Sequence, residues 1–281
     1  MTTICLGLIG DNIAASRAPE LHRLAGRLCG IDVHYELLVP RDLRLDFDAV
    51  FDRARADGYR GLNITYPYKE RVIGRVAVLD PGIRGIAACN TVLFETTGTV
   101  GANTDYTGFI RAFRTAFGAA SPGTVAIAGC GGVGKAIGFA LVELGTRTLR
   151  LFDQDRPKAE GLRKALSAAD SRTNVLVMET IKEAGETADG LVNATPLGMV
   201  GLGGNAFSTV PLRGARWAFD AVYTPVDTTF LTTARAAGLA TMSGFELYFY
   251  QGVDAFRLFT HRDVDPAALR VELLKTSRPS R

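Results

Sequence analysis

The stretch VAIAGCGGVGKAIGFAL, residues 125–141, constrains the fold of this chain more than any other. An apolar run ends in a cluster of glycines and passes directly into helical periodicity, the pattern of a strand, a tight turn and a helix. Two phosphate-cradling spacings overlap there: G-x-G-x-x-G through Gly129, Gly131 and Gly134, and G-x-x-x-x-G-K through Gly129, Gly134 and Lys135. The second is the loop of nucleoside triphosphate enzymes, whose lysine is followed by a Ser or Thr hydroxyl that holds magnesium. Here Ala136 follows, so a small-molecule kinase is disfavoured. The first spacing implies a dinucleotide, with the turn through Gly129, Gly131, Gly132, Val133 and Gly134 presenting backbone N–H groups and a helix N-terminus to a pyrophosphate. Its companion acid is expected about 20 residues on, at the end of the next strand, where it bonds a ribose 2′-hydroxyl. Asp153, closing LRLFD, is placed for that task. A carboxylate there repels a 2′-phosphate, which favours NAD; Arg156 nearby keeps NADP open.

The rest of the chain repeats the same rhythm. ICLGLIG leads to a helix opening at Pro19 with Leu21, Leu24 and Leu28 on one stripe, and VHYELLV to a helix carrying Phe47, Val50, Phe51 and Ala54. GLNIT leads through a proline to Val72, Ile73 and Val76. Strands alternating with helices predict a mostly parallel sheet covered on both faces. CNTVLFETTGTVGANTD breaks the rhythm and reads as two strands around a TTGT turn. A second series follows SPG at 121–123: strands TVAIAG, TLRLFD, NVLVM, GLVNAT and RWAFDAVY, with helices at 133–144, 156–169 and near 227–237. Two closing helices are expected near 245–260 and 266–275. The predicted architecture is therefore α/β: an N-terminal α/β substrate domain of residues 1–105 and 246–281, whose final helices pack back on it, and a C-terminal Rossmann domain of residues 106–245.

Charge narrows the function. Against 32 Lys and Arg stand 29 Asp and Glu, a net charge of +3 with no basic block, so neither nucleic acid nor a membrane surface is the expected partner. No apolar run is long enough to span a bilayer, and the N-terminus lacks a secretory pattern, which predicts a cytoplasmic location. Cys5, Cys29, Cys89 and Cys130 are dispersed without a C-x-x-C pair, and His22, His34 and His261 are far apart. No metal site is expected, and the cysteines read as small packing residues.

Two polar clusters could do chemistry. In GLNITYPYKE, Asn63, Thr65 and Lys69 follow a buried-looking strand and should lie at the C-terminal edge of a sheet, where open α/β sheets bind ligands. The other is Asn103 to Asp105, where the first unit hands over to the second. A lysine beside a carboxylate suits alcohol oxidation, exchanging the hydroxyl proton as hydride leaves carbon. From spacing alone, a surface lysine and a helix-cap aspartate are the simpler reading.

At these residues the chain resembles the shikimate and quinate/shikimate dehydrogenases. GLNITYPYK, NTV, GANTD, GCGGVGKA, NATPLGM, DAVYTP and QGVDAFRLFT occur in the family's order across nearly the whole chain. The resemblance implies a reversible nicotinamide-linked reaction between a hydroxylated ring carboxylate and its 3-dehydro form. It implies Lys69 and Asp105 as the catalytic pair. Ser16, Thr65, Asn90, Asp105, Tyr223 and Gln251 would bind substrate, and Asn193, Thr195, Ala221 and Gly244 would line the nicotinamide half of the cofactor site. Asp153 resembles the NAD-using quinate/shikimate members rather than the NADP-using ones. Two departures stand out. Ala18 occupies a position where the family usually has a second hydroxyl for the substrate carboxylate, a loss of about 1.5–3 kcal/mol if nothing substitutes. In GFELYFYQ, Leu247 and Tyr248 replace the usual Met-Leu, with Glu246 beside them; the aromatics there either pack the helix or reshape the pocket. A related amino-substituted ring acid, or nucleotide binding without turnover, are the alternatives. A monomer or homodimer is expected.

Overall fold

The computed structural model describes residues 2–78 and 84–276. The chain divides into two compact units, Met1–Thr104 with Gln251–Arg281, and Asp105–Tyr250.

The first unit is built on strands β1 (Thr2–Ile9), β2 (Ile31–Leu38), β3 (Gly61–Ile64), β4 (Ala77–Val78), β5 (Thr91–Glu95) and β6 (Gly98–Ala102). They form one sheet in the order β2-β1-β3-β5-β6-β4. β1 is parallel to β2 and β3, and β4 to β6, whereas β5 runs antiparallel to both β3 and β6. The antiparallel hairpin is the pair of strands expected around TTGT. The sheet's two faces are read from strand period. Leu62 and Ile64 point into a core with Phe47, Val50, Phe51 and Ala54 of α3 (Phe47–Ala56), which follows the single turn α2 (Pro40–Leu43). Gly61 and Asn63 face the other way. There α1 (Ala18–Leu28) contributes His22, whose ring stacks on Tyr35 at 5.0 Å and lies beside Phe256 and Phe259. A Cβ on Gly61 would meet the Phe259 ring at 2.5 Å, and one on Gly252 would meet Leu21 at 2.6 Å, so both glycines set how closely the helix that carries Gly252 and Phe259 approaches.

Two local expectations differ. Leu28, assigned to the buried stripe of α1, is exposed, because the helix ends there at Cys29 and the chain turns away through Gly30 at φ 70°. The Val72 segment forms a 3-10 turn at Arg71–Arg75, pinned by Val72 N–H to the Tyr68 carbonyl, with only Val72 of its apolar side chains buried.

The second unit carries α4 (Thr104–Phe117, whose first residue belongs to the other unit), β7 (Thr124–Ala128), α5 (Gly132–Glu143), β8 (Thr148–Phe152) and α6 (Arg156–Ala169). Then come β9 (Asn174–Val177), α7 (Ile181–Gly185), β10 (Gly190–Asn193), β11 (Trp217–Asp220), α8 (Thr229–Ala236) and β12 (Ala240–Met242). The sheet order is β12-β11-β10-β7-β8-β9, and all its pairs are parallel. Central strands β7, β10 and β11 are buried along their whole length, as expected where helices cover both faces. Phe109 and Phe113 of α4 pack edge-on against Phe219 and Trp217 at 5.1 and 5.2 Å. Trp217 also explains Gly190, where a Cβ would fall 2.2 Å from the indole. Helix α7 escaped the periodicity reading because it is a single turn, held by a Thr180–Glu183 capping box. Two longer helices close the chain, α9 (Gly244–Thr260), which passes into the first unit at Gln251, and α10 (Pro266–Thr276).

His22 gives the first unit a pH dependence. Burial drives its pKa down to about 3, with a hydrogen bond to Asn63 opposing. In the unfolded chain it titrates near its ordinary value of 6.5. Below that value the unfolded state takes up a proton that the fold refuses, so stability is full above it and is lost progressively down to about pH 3. Urea unfolding at about pH 7 and about pH 5 should show a loss of roughly 2 kcal/mol that is absent in His22→Phe. Equal losses in both proteins would show that His22 is not the group responsible.

Candidate active site

Because β5 is antiparallel to β3 and β6, the C-terminal ends of β1, β3 and β6 and the N-terminal end of β5 share one edge of the first sheet. That edge carries Ser16, Thr65, Lys69, Asn90 and Thr104. Thr65 N–H bonds the Ile9 carbonyl at 2.9 Å, and Tyr68 Oη–H bonds Asp11 Oδ1 at 2.7 Å, tying the loop after β3 to the loop after β1. Gly10 must be glycine at this junction, since a Cβ would lie 2.4 Å from Thr65 Cγ2. The Lys69 carbonyl accepts from Cys89 N–H at 2.9 Å, which anchors the half-buried lysine to the segment that carries Asn90 into β5. Asn103, fully buried, donates from Nδ2 to the Ala88 carbonyl at 2.8 Å and holds the same segment from the other side.

Asn90 is the centre of a buried network. Its Oδ1 accepts from Thr104 N–H at 2.7 Å and from the Thr91 and Thr104 hydroxyls at 3.1 Å each. Its Nδ2 points to Gln251 Oε1 at 3.5 Å. Behind it, Asn63 donates to the Asn90 carbonyl and to Thr91 Oγ1, both at 3.3 Å, and accepts from the Tyr35 hydroxyl at 2.9 Å. Asn63 is thus a supporting residue whose part in the network spacing could not disclose. Its only signal was a polar residue inside an apolar strand. Ser16 Oγ accepts from Ala18 N–H at 3.3 Å, which leaves the hydroxyl proton to donate elsewhere. Asp105, in the first turn of α4, is buried.

In the second unit the strand order reverses between β7 and β10, and the loops after β7, β8, β10 and β11 leave the same C-terminal edge, the binding edge of doubly wound sheets. The three fingerprint glycines have different causes. Gly129 adopts φ 93°, and a Cβ there would strike the Ala194 carbonyl at 2.8 Å. Gly134 lies under the turn, where a Cβ would sit 2.1 Å from the Gly129 carbonyl oxygen. Gly131, the N-cap of α5, has φ −76°, and a Cβ added to it would meet nothing within 4 Å. The protein itself does not require glycine there, so the bare backbone suits close approach by an outside group such as a pyrophosphate.

Asp153 Oδ2 accepts from Cys130 N–H at 2.7 Å and Oδ1 from Asp155 N–H at 2.9 Å, so the carboxylate is locked against the glycine turn. Arg156, whose position left NADP open, is engaged by Glu179 at 2.5 Å and Glu160 at 3.5 Å. Burial, with Asp153 adding to it, pushes the Cys130 thiol up to about 12, so it stays protonated at neutral pH.

Asn193, expected to line the nicotinamide half of a cofactor site, turns its side-chain amide to protein partners. It is fully buried, donates to the Leu197 carbonyl at 3.0 Å and Asp220 Oδ1 at 2.9 Å, and accepts from Thr195 N–H at 3.0 Å and Oγ1–H at 2.6 Å. Its amide is saturated, and it shapes the loop that carries Thr195. Asp220, a hub that motif spacing did not single out, accepts from Asn193, Val222 N–H at 3.0 Å and the Thr228 hydroxyl at 2.6 Å. Burial raises its pKa and these three bonds oppose the rise. Ala221 N–H bonds the Asn193 carbonyl at 2.8 Å, and a Cβ on Gly244 would lie 2.4 Å from the Ala221 carbonyl oxygen. The aromatics after Phe245 pack the helix: Tyr248, Phe249 and Tyr250 are buried. Tyr248 nonetheless stacks on Tyr223, with centroids 5.4 Å apart and planes 15° apart.

The all-parallel sheet with a glycine turn at its switch point defines the second unit as a Rossmann-type dinucleotide-binding fold. Residues 8–92 match the family model described as the shikimate dehydrogenase substrate binding domain. A quinate/shikimate dehydrogenase (NAD(+)) of Corynebacterium efficiens is 38% identical over 278 residues, covering 97% of this chain and 98% of the relative. A shikimate dehydrogenase (NADP(+)) of Streptomyces avermitilis is 38% identical over 274 residues, covering 95% and 94%. The solved structure of quinate dehydrogenase from Corynebacterium glutamicum in complex with NAD superposes with a TM-score of 0.89 at 35% identity, covering 98% of this chain and 100% of that one. The chain belongs to the shikimate/quinate dehydrogenase family.

The glycine turn yields a paired test. Gly131→Ala should leave stability within about 0.5 kcal/mol of the parent and weaken NADH binding about tenfold or more, read by fluorescence titration. Gly134→Ala should cost about 1–3 kcal/mol and lose binding together with stability. Unchanged NADH affinity in Gly131→Ala would refute the assignment of that turn.

Proposed function

We propose that this protein is an NAD-preferring dehydrogenase that reversibly interconverts a hydroxylated ring carboxylate, shikimate or quinate, and its 3-dehydro form. The observation that carries the reading is the edge of the first sheet, where Thr65, Lys69, Asn90 and Thr104, the residue before Asp105, converge in a chain whose second unit bears the dinucleotide turn. In this reading residues 1–105 and 246–281 bind substrate, and residues 106–245 hold the cofactor.

The turn at Gly129–Gly134 would hold the pyrophosphate and Asp153 the adenosine ribose, while Asn193, Thr195, Ala221 and Gly244 would border the nicotinamide. When bound, the nicotinamide supplies the acceptor or donor of hydride. Ser16 donates its hydroxyl proton to the ring carboxylate, and Thr65, Asn90, Tyr223 and Gln251 orient the ring. Lys69 accepts the proton of the reacting hydroxyl in oxidation and returns it in reduction, with Asp105 holding the hydroxyl and balancing the charge. With Ala18 in place of a second hydroxyl, the carboxylate has one donor fewer, which weakens shikimate binding or favours another ring acid. Asp153 at the ribose and the engagement of Arg156 by two glutamates support NAD over NADP. A cytoplasmic monomer or homodimer fits this role.

Steady-state assays with shikimate, quinate, NAD and NADP test the assignment. Lys69→Ala should lower kcat by about 100-fold or more with a smaller change in KM, because proton transfer acts in the transition state. An unchanged kcat, with chemistry limiting, would remove Lys69 from the mechanism. Asp153→Ser should improve kcat/KM for NADP relative to NAD by about tenfold or more. A parent enzyme that already prefers NADP would defeat the cofactor reading.

A further inference from the structure

The orientation of the Asn90 amide is decided by the protein. Its oxygen faces the Thr104 backbone N–H at 2.7 Å, and that group can only donate. Two threonine hydroxyls crowd the same oxygen at 3.1 Å, so its accepting capacity is filled from within. Flipping the amide would set NH2 against N–H. The nitrogen therefore faces outward from the Thr91–Thr104 pair, with one N–H directed at Gln251 Oε1 and the other without a partner among the described residues. Gln251 follows suit: with Asn90 Nδ2 in front of it, its oxygen must face Asn90, where it also lies 3.4 Å from Thr104 Oγ1. Asn63 and Tyr35 reinforce the arrangement from behind by fixing the Asn90 carbonyl and Thr91.

We infer that Asn90 is a donor-only selectivity element, which demands a lone pair on the ring substituent it meets and so admits a hydroxyl while rejecting an ammonium group. The inference rests on the proposed function, in which Asn90 meets a ring hydroxyl. A hydroxyl oxygen accepts from Asn90 and still donates its own proton to a carboxylate. An ammonium has three donors and no lone pair, so it would confront the amide N–H and leave a buried donor unpaired.

The test compares kcat/KM of the parent enzyme for shikimate and quinate with that for analogues carrying an amine in place of one non-reacting ring hydroxyl at a time. At the position Asn90 meets, the amine should be poorer by about 100-fold or more at neutral pH, as expected where a site built to bond a hydroxyl loses its partner. Asn90→Asp keeps an oxygen for Thr104 N–H and turns the other into an acceptor, so it should shift the ratio toward the amine by about tenfold or more. A thermal melt checks that the variant folds, and the parent ratio is decisive without it. Amine analogues within about threefold of the hydroxyl compounds at every position would overturn the inference while leaving the dehydrogenase reading intact. No turnover of shikimate or quinate by the parent would overturn both.

Discussion

The candidate functional side chains of this protein sit where buried strands run out, and one constraint governs them all. Backbone and amide groups leaving a sheet in a dry interior must each find a partner. At the edge of the first sheet the strand ends are joined by side-chain amides. Asn103 reaches Ala88, Asn63 reaches Asn90 and Thr91, and Asn90 receives Thr104. Each bond that satisfies the fold also removes a rotational freedom from a group placed at the site. The orientation of Asn90 is therefore a by-product of burial, and needs no ligand to set it.

The second unit solves the same problem with a carboxylate. Asp220 ends β11 and gathers Asn193, Val222 N–H and Thr228, the last of which caps α8 through Leu231 N–H. Asn193 in turn holds the turn through Thr195 and Leu197. The loops after β10 and β11 are thereby fastened to each other. Asp153 does likewise for the glycine turn through Cys130 N–H. These residues are fully or largely committed to protein partners, which separates the groups that build the edge from those left to meet a ligand.

Much of the architecture was legible because period and punctuation agree. The parallel strands of the second unit are continuous apolar runs, the glycine turn is unambiguous once Ala136 excludes a magnesium hydroxyl, and TTGT announces the hairpin. What escaped were short pieces such as α7 and β12, where too few residues carry a period. Leu28 escaped because a stripe does not reveal where the neighbouring element stops covering it. In the candidate site, Lys69 and Asp105 were visible as residue types in motifs. The network role of Asn63, the hub at Asp220 and the saturated state of Asn193 were not, since hydrogen-bond bookkeeping depends on groups up to 161 positions apart, as between Asn90 and Gln251.

By itself the sequence determined that the chain would form two α/β units, that a dinucleotide turn would open α5, and that an acid would stand at the end of β8. Those are local matters of spacing, chirality and charge. Only the tertiary structure decided which amide atoms face which way, which arginine is already engaged, and why Gly131 is bare when nothing in the protein occupies the space beside it. Such choices arise when a polar atom is sealed among partners from distant strands, where a donor left facing a donor costs about 1–3 kcal/mol.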